Sequence, residues 1–137
     1  MTTASVAFPR LSLRLPPEPI SARRGRSALR LEIARWGYLD RDQLDVLELL
    51  ASELITNSLL HTDTPVLEIT ATHDHRGVCV TVTDADCDRP VRLRSPGTLA
   101  GRGLVLVDAL ADTWGVDYQD DGKAVWFRLD RAQARLT

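Results

Sequence analysis

Glu53, Asn57 and His61 recur at a spacing of four in the stretch "ELITNSLLH". A helix advances about 100° per residue, so three such positions share an arc of roughly 80°. A carboxylate and a carboxamide one turn apart are hard oxygen groups. They suit Mg²⁺, which keeps several waters and is usually shared with substrate phosphates. The same stripe would also serve as the wet side of an amphipathic helix. Against that, residues 49–60 are mostly apolar, and the threonine, asparagine and serine at 56–58 are indifferent helix formers, so something other than propensity selects them.

Two further features carry chemistry. In "VTVTDAD", Asp84 falls where a strand gives way to a loop, and a carboxylate there can accept a hydrogen bond from the amino group of a base. It can equally serve as a turn or cap residue. In "AGRGLVLV", Gly101 and Gly103 precede a helical pattern, where unpaired N–H groups attract phosphate. A plain helix-entry turn reads the same way. "HDH" (His73, Asp74, His75) offers two histidines at a hairpin turn with no third or fourth ligand nearby, which makes a poor metal site.

The elements that must position these residues follow from periodicity. "RLSLRL" alternates, with Leu11, Leu13 and Leu15 on one face, and reads as a strand ended by Pro16, Pro17 and Pro19. Ser21 is the expected N-cap of a helix running to about Trp36, with Leu29, Ile33 and Trp36 at helical spacing and Gly37 closing it. Asp40 is the expected cap of a second helix, about Arg41 to His61, with Leu44, Leu47, Leu50, Ala51 and Leu54 as its apolar set. "VLEITATH" and "GVCVTVTD" read as paired strands joined at "DHRG". Residues 85–100 recur at neither period and read as a loop. "GRGLVLVDALADTW" becomes a helix, and "GVDYQDDGKAVWFRLD" closes as a hairpin turning at "QDDG". The order β-α-α-β-β-loop-α-β-β fits an α+β fold: a two-layer sandwich, its mixed, mainly antiparallel sheet covered by helices on one face. Residues 1–9 read as a disordered tail, 10–130 as a single domain and 131–137 as a C-terminal tail.

The 137 residues and 44% hydrophobic content suffice for one core. The net charge of −2 gives no global pull toward nucleic acid or an anionic membrane. Residues 1–35 are locally basic, with Arg10, Arg14, Arg23, Arg24, Arg26, Arg30 and Arg35 against Glu18 and Glu32. That run reads as a solvated helix face or as a docking surface for an acidic protein. Lys123 is the sole lysine beside sixteen arginines, a bias that points to coding composition. Cys79 and Cys87 do not form a CxxC pair and suggest a reducing compartment. With no long apolar run and no secretory h-region at the start, the expected location is the cytoplasm.

Taken in order, "ELITN…H", "DAD" after two strands, a loop, "GRGL" and "GKAVWF" in a last hairpin resemble the GHKL ATPase family and its Bergerat fold. More narrowly, they resemble the anti-sigma-factor serine/threonine kinase branch. The resemblance covers roughly residues 20–129. It implies that Glu53 is the general base, that Asn57 holds Mg²⁺, and that Asp84 binds the adenine amino group. It also places Gly101, Arg102, Gly103 and Leu104 at the nucleotide, with the glycine amides meeting the phosphates and residues 85–100 acting as an ATP lid. His61 falls where the branch often has histidine. The implied function is an ATP- and Mg²⁺-dependent kinase acting on a serine or threonine of a protein partner. The implied partners are a sigma factor, an anti-sigma antagonist, or both, with a homodimer compatible and no direct nucleic-acid or membrane contact. The alternative is a nucleotide-dependent protein-binding module with little or no catalysis. Three departures from the family pattern stand out. Asp86 occupies the position of a usual glycine, Lys123 and Ala124 follow Gly122 where a threonine often helps hold adenine, and the loop before Gly101 is short with a single glycine.

Overall fold

A computed structural model describes residues 10–61, 65–84, 99–119 and 122–132. Five strands and three helices follow one another as β1 (Arg10–Leu15), α1 (Ile20–Trp36), α2 (Arg41–His61), β2 (Leu67–Asp74), β3 (Gly77–Asp84), α3 (Leu99–Leu110), β4 (Thr113–Gln119) and β5 (Gly122–Asp130). The strands form one sheet in the order β1-β2-β3-β5-β4, and each neighbouring pair is antiparallel. The mixed component left open by the sequence is therefore absent among the described strands.

Side chains alternate across a strand, so register decides which residues share a face. Leu13 pairs with Ile69, Ile69 with Val82, Val82 with Val125 and Val125 with Val116. One turn of the pleat away run Leu11, Ala71, Val80, Phe127 and Trp114. These rows form the face that packs under the helices, and Ile69, Ala71, Val80 and Phe127 are fully buried there. The opposite face carries Thr70, Thr72, Thr81, Thr83 and Arg128, the polar set expected where an antiparallel sheet meets water.

The helices lie across the sheet in chain order. Helix α1 packs on β1 and β2, α2 on β3 and β5, and α3 on β4, with α2 between the other two. Gly25 lets α1 approach closely: a Cβ there would sit 2.8 Å from Ile55 Cδ1 and 3.1 Å from Ile69 Cδ1. Arg30 of α1 reaches both Asp45 (2.7 Å) and Glu48 (2.6 Å) of α2.

The helix ends are set by local chemistry. Asp40 Oδ1 accepts from the Gln43 amide (2.8 Å) while Gln43 Oε1 accepts from the Asp40 amide (3.0 Å), a reciprocal capping box. Gly37 closes α1 at φ 81°, a left-handed conformation costly for other residues. Ser21 is not the cap of α1. The helix begins one residue earlier behind Pro19, and the buried Ser21 hydroxyl donates to the Pro16 carbonyl at 2.6 Å. The proline-rich bend, with its own backbone turn, displaces the side-chain cap. Helix α3 likewise begins two residues before Gly101, so the glycines sit inside its opening turns rather than ahead of it.

His73 lies in strand β2 and not in the turn. It is buried between the rings of Trp36 (4.9 Å) and Tyr38 (4.5 Å). Residues 1–9, 62–64, 120–121 and 133–137 lie outside the described residues, as do positions 85–98 of the loop, Asp86 and Cys87 among them. Arg131 and Ala132 continue the backbone order past β5, donating to the carbonyls of Arg76 and Tyr38.

Candidate functional site

Helix α2 has a direction that can be read from its contacts. Near its start, Gln43 Nε2 donates to the carbonyl of Asp130, the last residue of β5, at 2.6 Å. From Gln43 to Asn57 a helix rises about 21 Å. From Asp130 back to Lys123 a strand spans about 23 Å. Helix α2 therefore runs antiparallel to β5 and carries Asn57 to the Lys123 end of the sheet, with Glu53 one turn short of it. The short connection from His61 to Leu67, which pairs with Asp84, agrees.

The stripe is also placed around the helix. Glu48 and Ile55 face α1. Glu53 and Asn57 lie about 140–180° around the axis from those two, on the flank turned to α3. Both are half-buried, between the buried ridge of Leu50, Leu54 and Ser58 and the outer surface. They are neither in open water nor in the core, which is where groups that must meet a polar ligand belong.

Asp84 shares its face with Val78, Val80 and Val82, so its carboxylate points under the helices. Its side chain is only 2% exposed. A buried carboxylate is costly without a charged partner. It has one in Lys123, directly opposite in register, whose Nζ lies 2.8 Å from Asp84 Oδ2. Nothing local in the sequence assigns Lys123 a role. The signal was its place two residues before Val125, which puts it on the core-side face of β5, immediately after the turn glycine.

Helix α3 runs back toward the same end. The chain just past its end is anchored far from Lys123: the Asp112 amide donates to the Arg128 carbonyl (3.0 Å), and Asp112 Oδ2 accepts from the Asp130 amide (2.7 Å). Trp114 Nε1 donates to Asp108 Oδ1 at 2.8 Å and folds the helix over β4. Over its twelve residues α3 returns about 17 Å, which brings its opening turn toward the Asp84–Lys123 row. Gly101 and Arg102 lie in that first turn and Gly103 and Leu104 just beyond it. The first N–H groups of a helix have no partner within it, and with the helix dipole they make such an opening turn an end that attracts anions. Leu104 packs against the core.

The topology thus gathers Glu53, Asn57, Asp84 and the α3 start at one end of the helical layer, the strand-end acid beneath and the two helices above. His61 is the last residue of α2. Other reactive groups are elsewhere: burial pushes the half-buried Cys79 thiol up, away from a nucleophilic thiolate. Among the described residues no group of three or more His, Cys, Asp or Glu could by itself hold a metal ion. Nor is any described helix long and apolar enough to cross a membrane.

This arrangement is similar to known proteins. A model of the histidine kinase-like ATPase domain matches residues 15–129. Among solved structures, that of the RsbU and RsbW domains of Rv1364c from Mycobacterium tuberculosis matches with a TM-score of 0.67 at 20% identity, over 88% of this chain and 32% of that one. The chain thus spans about a third of that solved chain, and the likeness is one of fold. No curated protein matches it. The family model runs from the end of β1 to the penultimate residue of β5 and spans Glu53, Asn57, Asp84 and the start of α3, so the chain belongs to the histidine kinase-like ATPase domain family, and ATP is the nucleotide that this membership implies.

Proposed function

We propose that the chain is an ATP-binding regulatory protein that acts as a serine/threonine kinase of the anti-sigma-factor type, in partner-switching control of transcription in the cytoplasm. The observation that carries this reading is the convergence of the half-buried Glu53 and Asn57, the buried Asp84 and the opening turn of α3 at one end of the sheet. The similarity to a structure described as holding an RsbW domain supports it at the level of fold.

The residues present fit the nucleotide and metal that the reading needs. Asp84 supplies an acceptor for an exocyclic amino group at the floor of the site. Asn57 presents a carboxamide oxygen, a donor type that Mg²⁺ takes alongside phosphate and water. Bound Mg²⁺ would offset charge on the phosphates during transfer. The amides opening α3 would hold the phosphate oxygens, with Arg102 adding charge from the same turn. Glu53, one turn from Asn57, would accept the proton of a serine or threonine hydroxyl presented by the partner. The exposed outer side of α1, with Arg23, Arg24 and Arg35, offers a basic surface for an acidic partner such as a sigma factor or an antagonist.

Incubation with labelled ATP, Mg²⁺ and a candidate antagonist tests the reading. Transfer to the antagonist that vanishes in Glu53→Ala, with ATP binding kept, is the expected result. ATP-dependent complex formation with no transfer would instead assign the chain to a nucleotide-gated binding module.

A further inference from the structure

We infer that Lys123 is a second base-reading residue, its ammonium donating to the ring nitrogen next to the exocyclic amino group that Asp84 accepts from, so that the pocket recognises the two neighbouring positions of a 6-aminopurine together. The inference rests on the ATP-site reading above and adds a residue to it.

The geometry starts with the turn. Gly122 has φ 149°, a backbone region open to glycine and strained for other residues, and it is buried. It fixes the start of β5, so that Lys123 falls on the helical face in register with Asp84. The lysine is itself only 21% exposed and ends 2.8 Å from Asp84 Oδ2. An ammonium has three donors, and this contact uses one. The ammonium thus sits beside the carboxylate, and on the ATP-site reading the base would enter next to it, where Asp84 meets its amino group.

Two arrangements are then open to an incoming base. It can displace Lys123 from Asp84, or it can bind against the intact pair. Displacement exchanges an ion pair for a hydrogen bond from an uncharged donor and leaves the buried Asp84 carboxylate without its cation, a loss that a neutral base does not make good. Binding against the pair keeps the charges matched. It also presents an acceptor and a donor side by side, the complement of an amino group and an adjacent unprotonated ring nitrogen. Lys123 therefore stays in place and reads the base rather than stoppering the pocket.

The test compares ATP with 1-deaza-ATP, in which that ring nitrogen is a C–H and the amino group is retained. Calorimetric titration of the wild-type chain in Mg²⁺ is expected to give weaker binding of 1-deaza-ATP, by on the order of tenfold or more, the usual effect of losing a hydrogen bond to a charged donor. Lys123→Met is expected to bind ATP correspondingly more weakly and to lose the preference between the two nucleotides. Wild-type protein that binds ATP and 1-deaza-ATP equally overturns the role of Lys123 while leaving the ATP site intact, and needs no folded variant. Tighter ATP binding by Lys123→Met overturns it too, since that is the mark of a stopper. Wild-type protein that binds neither nucleotide overturns the ATP-site reading itself, and the role of Lys123 with it.

Discussion

Glu53 and Asn57 stand one turn apart on the same flank of α2, and the separation divides their tasks. On the proposed function, Asn57, over the Lys123 row, would serve the metal and phosphates, and Glu53, farther back, would serve the incoming hydroxyl. Asn57→Ala should therefore lose most of the Mg²⁺-dependent part of ATP affinity, read as the difference between titrations with Mg²⁺ and with a chelator. Glu53→Ala should keep that difference and lose phosphoryl transfer by a factor on the order of a hundred or more, the usual contribution of a general base. His73 makes a separate prediction about acid. Burial between Trp36 and Tyr38 lowers its pKa from the ordinary 6.5, although neighbouring Asp74 pulls the other way. The unfolded chain then binds the proton more readily than the folded one, so stability is fully present above about pH 6.5 and declines as pH falls toward the lowered folded value. Thermal melts from pH 7.5 to 5.5 should show this loss, and His73→Phe should flatten it.

At the scale of elements, the two helix contacts that orient the site are the tests of choice. Asp40 caps α2 and Gln43 ties its first turn to Asp130. Asp40→Ala should cost about 1 kcal/mol of unfolding free energy in urea. Gly25 sets how closely α1 approaches Ile55 and Ile69, so Gly25→Val should cost about 1–3 kcal/mol through overpacking, seen as a lower midpoint at unchanged slope. These elements also show what a sequence can reveal. Strict alternation in "RLSLRL" and "GVCVTVTD" marked β1 and β3, because a one-residue slip would turn leucine and valine to water. Asp40 is legible as a cap because it stands just ahead of the helical run that starts near Arg41, while its reciprocal partner Gln43 comes from the structure. Ser21 misled because its chain neighbours are prolines that build a turn of their own, and a hydroxyl can serve that turn as readily as a helix. The start of α3 is not where the glycines suggest, because glycine signals a break locally while the helix runs through both of them. Lys123 was missed for a different reason. Its partner Asp84 is distant in sequence, and only strand pairing brings the two together.

For the whole molecule, the site has no single owner. It joins the middle of the chain, on α2 and β3, to its later part, on α3 and β5. A ligand held between these parts should stabilise the whole fold rather than one element. At a hundred times its dissociation constant, ATP with Mg²⁺ should add about 2.7 kcal/mol of stability. A concentration-dependent rise of the melting midpoint, lost on Asp84→Asn, is the expected readout.

Strand order has one more consequence, for the chain as it is made. The final strand of the sheet, β5, is also one of its inner ones, with β3 on one side and β4 on the other. Until residue 130 has emerged during synthesis, β3 is an open edge and Val80 and Val82 lack their neighbours Phe127 and Val125. A message cut short after β4 would thus yield a chain with a raw, valine-rich border, prone to clump with its own kind. The nascent protein must wait for the β4–β5 hairpin before its core is closed.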